Sequence, residues 1–134
     1  MLIGKVCAVT AAVAAATILS GCGSGDEAPE QRVRHFQAAL QADDARAACA
    51  DLAEQTRQAL EEQEQRPCHE VIGDQGVPGG AGPAEVRRYG SMAQVRGNGD
   101  VLFLSRYSDG WRVVAAGCTP AGGDEPYDCA LEVG

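Results

Sequence analysis

The sequence predicts an α+β domain in which N-terminal helices pack on one face of a curved antiparallel sheet. Three observations carry that expectation. Apolar residues recur at helical spacing from Val33 to Ile72, and a Gly/Pro-rich stretch at 75–83 ends that pattern. Beyond it, short runs with strand composition are separated by tight-turn residues, above all Gly97-Asn98-Gly99-Asp100. Helices followed by a meander of strands is the element order of an α+β fold.

The first helix is expected over 29–42. Pro29 suits a first turn, Glu30 favours a helix N-terminus, and Val33, Phe36 and Leu40 share a face. Asp43-Asp44 should stop it and cap a second helix over 45–52, with Ala48, Cys49 and Leu52 on its packed side. Thr56 is the expected cap of a third helix ending near Gln65, which contributes Ala59 and Leu60. Pro67 opens a short fourth turn with Cys68, Val71 and Ile72, and Gly73 closes it.

Strands are expected at 84–89, 91–96, 101–107, 111–117 and 129–133, with a second turn at Ser108-Asp109-Gly110. Tyr89, Met92, Tyr107 and Trp111 are the expected inward residues of the sheet, with Arg106 and Arg112 on the other face. Asp100 and Asp109 read as turn residues.

The first 28 residues behave differently. Val6–Leu19 is an Ala-rich apolar run preceded by Lys5, too short to cross a bilayer, which needs about 20 residues. It ends in Leu19-Ser20-Gly21-Cys22, which resembles the lipobox of bacterial lipoproteins. The resemblance implies a cleaved signal peptide at 1–21, a lipidated Cys22, and a flexible tether over 22–28 leading into a single domain at 29–134. No further cofactor is expected beyond the covalent diacylglycerol and fatty acyl groups on Cys22. The alternatives are an ordinary secretory signal and a retained membrane helix. A Gly-rich tether of this length reaches about 13 Å. The domain would therefore sit against the extracytoplasmic face of the cell membrane.

Charge and cysteine usage agree with that placement. The chain has 134 residues and a formal charge of −8; without Lys5, ten arginines against nineteen acids leave −9. So acidic a chain is not expected to bind nucleic acid, nor to be drawn to an anionic leaflet. Lipid contact would come through acyl chains. Cys7 lies in the leader. Cys49, Cys68, Cys118 and Cys129 remain, an even set that suits an oxidising compartment. Three pairings are open; Cys49–Cys68 and Cys118–Cys129 are favoured because each closes a local loop.

The element order, together with Asp109-Gly110-Trp111-Arg112-Val113 and Ala116-Gly117-Cys118, resembles the nuclear transport factor 2-like cone fold. More narrowly it resembles small lipoproteins of actinobacteria carrying such a domain, and the heavy use of Ala, Gly and Arg agrees. Enzymes on that cone, such as polyketide cyclases and isomerases, place an Asp or an Asp–His pair in the cavity. No residue here is matched to that pattern, so no catalytic residue is assigned. His35, Tyr107 and Trp111 are the candidates for a pocket.

His69 beside Cys68 lacks metal-ligand spacing, and Glu61-Glu62-Gln63-Glu64 reads as a solvated helix face. The expected function is a membrane-anchored, non-enzymatic binding or interaction module for a neighbouring membrane protein or small ligand. The alternative is a cone-cavity enzyme or small-molecule carrier.

Overall fold

Asp44 sets the spacing of the first two helices. Its carboxylate accepts the Ala47 N–H at 3.2 Å, while Asp43 before it turns the chain through φ 55°. In the computed structural model, which describes residues 27–79, 82–97 and 99–133, α1 (Pro29–Gln41) and α2 (Ala45–Asp51) meet at this bend. The helices α3 (Glu54–Glu64) and α4 (Cys68–Val71) follow, and a 3-10 turn (Ile72–Asp74) ends the helical half. The leader, Cys22 and most of the tether lie outside the described residues. No helix among those described is long and apolar enough to cross a membrane.

The strands are β1 (Pro83–Tyr89), β2 (Met92–Gly97), β3 (Asp100–Tyr107), β4 (Gly110–Thr119) and β5 (Asp128–Leu131). They pair antiparallel in chain order to form an open five-stranded meander. Alternation decides the faces. Ala93 and Val95, Leu102 and Leu104, and Trp111 and Val113 are buried against Val33, Phe36, Ala48, Leu60, Val71 and Ile72 from the helical half. The β3–β4 ladder slips by one residue after Phe103, which bends the pair locally.

Thr56 does not cap α3. The preceding Ala53 takes the cap position, and its N–H donates to Val113 C=O at 2.8 Å. Thr56 lies inside the helix, fully buried, and its hydroxyl donates to Val114 C=O at 2.9 Å. Leu52 also bridges Val113 in parallel. The segment between α2 and α3 is thus fastened along β4 by backbone and side chain together. A helix start that lacks a side-chain cap is held instead by the sheet edge.

The expected inward set of the sheet is corrected by the register. Tyr89, Met92, Ser105 and Arg112 form one row across four strands. Tyr89 and Met92 are 61% and 47% exposed, and Tyr107 is also exposed; only Trp111 of the four turns inward. Arg106 pairs directly with Trp111 and shares its face, while Arg112, one residue on, lies on the other. Asp100 is not a solvated turn residue. It opens β3 and is 3% exposed.

Two disulfides close the domain. Cys49–Cys68 ties α2 to α4, and Cys118–Cys129 links direct register partners on β4 and β5. Loop closure of this size stabilises by about 3 kcal/mol each in the chain-entropy account. Thr56→Val removes the α3–β4 hydrogen bond and leaves the Val114 carbonyl without that donor. Chemical denaturation should show a loss of roughly 1–2 kcal/mol, and Thr56→Ser should recover most of it.

Candidate functional site

An open cleft of about 750 Å³ lies where α2, α3 and α4 meet the β3–β4 turn. Its position follows from the fastening at Val113, which sets the end of α2 and the start of α3 beside the turn at 108–109. Ala50 and Leu52 come from the first, Gln55 and Arg57 from the second, His69 from α4, and Tyr107, Ser108 and Asp109 from the turn. The Cys49–Cys68 bridge contributes to its wall.

The polar walls are tied down internally. Glu61 accepts from Arg57 Nη1 at 2.5 Å and from the Cys68 N–H at 3.0 Å, so one carboxylate holds both a side chain and the start of α4. Arg112 donates to Ala50 C=O at 3.0 Å and to Asp109 at 2.9 Å, linking β4 to α2 and closing its own turn. That guanidinium holds the Asp109 carboxyl below its ordinary range, through hydrogen bonding first and charge second, with Arg32 adding to the effect. Arg46 lines the same cleft, is exposed, and makes no ion pair among the described residues. Fixed walls with one uncommitted cation suit recognition of a surface group.

Beside the cleft, on the α1–α2 join, a second charged group is built around Asp51. This carboxylate is 1% exposed at the end of α2. Arg32 Nη1 donates to one oxygen at 2.6 Å, and His35 Nδ1 lies 2.5 Å from the other. Arg32 also reaches Glu27 at 2.9 Å. The imidazole is 60% exposed. An acid at a helix C-terminus opposes the helix dipole, so Asp51 needs such partners. That misplacement was the one sequence signal that could have drawn attention to it. Arg32 and His35 sit one turn apart on α1 and converge on one carboxylate, an arrangement no local motif announces.

The three residues named as pocket candidates are not brought together. Tyr107 lines the cleft, with its hydroxyl 3.4 Å from Gln55 Oε1. Trp111 is buried beneath the guanidinium of Arg88, whose carbon lies 5.9 Å from the ring centroid. Arg112 lines the cleft, and strand alternation turns its neighbour Trp111 the opposite way. His35 contacts Asp51 and does not line the cleft. His69 reaches the cleft, but no group of three His, Cys, Asp or Glu side chains able to hold a metal occurs among the described residues.

Compared with family models, curated proteins and solved structures, the chain matches none of them.

Replacing Asp51 by Ala leaves the Arg32 guanidinium and the His35 ring without the carboxylate they share. Urea unfolding should register a loss of roughly 3 kcal/mol, at the lower end for a broken buried pair because Arg32 keeps some access to water. A loss below about 1 kcal/mol would show that the cluster is solvated and stabilises little.

Proposed function

We propose that the protein is a lipoprotein of the extracytoplasmic face of the cell membrane, anchored by acyl chains on Cys22. Its α+β domain acts as a non-enzymatic binding module for a neighbouring membrane protein or a small ligand. The observation that carries the binding role is where open volume lies. Phe36, Leu104 and Trp111 fill the space between helices and sheet, whereas the cleft opens outward beside the β3–β4 turn. A domain with a filled interior and a cross-linked outer groove meets partners at its surface.

The anchor rests on Leu19-Ser20-Gly21-Cys22 and on the apolar run before it. Two disulfides agree with residence in an oxidising compartment. A short tether would confine the search for a partner to a thin layer at the bilayer and raise effective concentration there. The likeness to a nuclear transport factor 2-like cone belongs to the same proposal, and a shared fold would leave function open.

A second reading, a cone-cavity enzyme or small-molecule carrier, draws on one observation. His35 is oriented by the buried Asp51, as a base is oriented in proton transfer. Its position outside the cleft favours the binding module.

Radiolabelled palmitate should enter the wild type and not Cys22→Ser, which should leave the membrane fraction. Equal labelling of both would remove the anchor. Within the cleft, Arg46→Glu combined with Tyr107→Ala should reduce photo-crosslinking from position 55 to any membrane neighbour several-fold. Cross-linking unchanged by that pair would place the partner elsewhere.

A further inference from the structure

We propose that the end of the sheet carrying the β1–β2 and β3–β4 turns docks on an anionic phospholipid surface, with Tyr89 and Met92 entering the headgroup layer and neighbouring arginines meeting lipid phosphates. This rests on the acyl anchor at Cys22 and adds to it a defined side of the domain that faces the bilayer.

The chain leaves the fold at that end. Strands β1 to β4 pair antiparallel in chain order, so the turns at 90–91 and 108–109 lie at the same end of the sheet. The Arg106 N–H donates to the Ser91 carbonyl at 2.7 Å, tying the first turn to the end of β3. Glu27 sits beside the second turn: a Cβ on Gly110 would lie 3.4 Å from its Oε2, and Arg32 holds the same carboxylate at 2.9 Å. Five peptide steps lead back from Glu27 to Cys22, and five steps span at most about 18 Å. Strand β1 lies three spacings from β4, about 14 Å across the sheet. An acylated Cys22 therefore keeps this whole end within reach of the headgroups.

The side chains there suit a lipid surface. Of the four large apolar side chains exposed among the described residues, Tyr89, Met92 and Tyr107 lie at this end; the fourth, Val133, follows β5. Tyr107 is engaged with Gln55 at the cleft. Tyr89 and Met92 are direct register partners on the outer face. Tyr127 covers the part of that face around Gln94, Arg96 and Phe103 and leaves their row open. A tyrosine ring with a polar hydroxyl favours the boundary between lipid and water.

Charge is distributed to match. Residues 86–92 and 105–112 carry Arg87, Arg88, Arg106 and Arg112 against Asp109 alone, in a chain of formal charge −8. Arg112 is paired with Asp109, and Arg87 with Glu85 of the same strand. Arg88 lies over the Trp111 ring, a contact that leaves its charge intact. The net acidity of the chain argues against attraction to an anionic leaflet, but salt screens charges beyond about 10 Å. The groups nearest the lipid decide, and at this end they are cationic. Docked this way, the domain holds the cleft beside the turn at 108–109 close to the bilayer.

The test uses the protein purified from membranes and reconstituted on vesicles of phosphatidylglycerol and phosphatidylethanolamine. Flotation with the vesicles reads the anchor. A photoreactive phenylalanine analogue replaces Ser91 at the turn or, as a control, Glu62 on the exposed side of α3. Lipid adducts should be several-fold more abundant from position 91 than from 62. They should fall several-fold on vesicles of phosphatidylcholine alone, and again when Tyr89→Ser and Met92→Ser are combined. Protein that floats yet gives equal adducts from both positions, or equal adducts on both lipid compositions, would overturn the docking and leave the anchor standing. Protein that does not float would overturn both. Adducts from position 91 to a second copy in place of lipid would overturn the docking in favour of self-association.

Discussion

The chain at 52–56 is fastened to β4 by Leu52 bridging Val113, the Ala53 N–H on the Val113 carbonyl, and the Thr56 hydroxyl on Val114. Much of the remaining architecture depends on this seam. It lies between α2 and α3, so it fixes the end of one helix and the beginning of the next against the same strand. Asp51, one residue before it, is thereby carried under α1, where Arg32 and His35 meet it. On the other side, the same seam sets α3 beside the β3–β4 turn and opens the cleft.

The division between apolar core and charged periphery follows from size. With six aromatic residues in the whole chain, the interior relies on Val, Leu, Ile and Ala around Phe36 and Trp111. Such a core gains little from any one contact, and cross-links supplement it. One disulfide joins helix to helix and the other joins strand to strand. Neither spans the layers, so the helix–sheet join is left to packing and to the seam at β4.

The outer face of the sheet is treated unevenly. Tyr127 covers one part of it, with its hydroxyl bonded by Gln94 and Arg96 and its ring edge-on to Phe103. The row of Tyr89 and Met92 lies open. The edge strand β1 carries Glu85 and Arg87, paired at 2.9 Å, charges that discourage another strand from joining.

The sequence by itself determined the α+β class, the order of elements and the Asp44 cap, and it favoured the two local cysteine pairs over the other pairings, because each depends on residues close along the chain. Helix strand and turn periodicities are local, and loops of 11 and 19 residues meet readily. Only the tertiary structure decided that Thr56 serves the sheet, that Asp51 gathers Arg32 and His35, and that Asp100 is buried opposite Gly97. Thr56 and Val114 stand 58 positions apart, and Arg32 and Asp51 stand 19 apart. The strand register that turned Tyr89 and Met92 outward is set by which neighbour each strand pairs with, and alternation within one strand leaves that choice open.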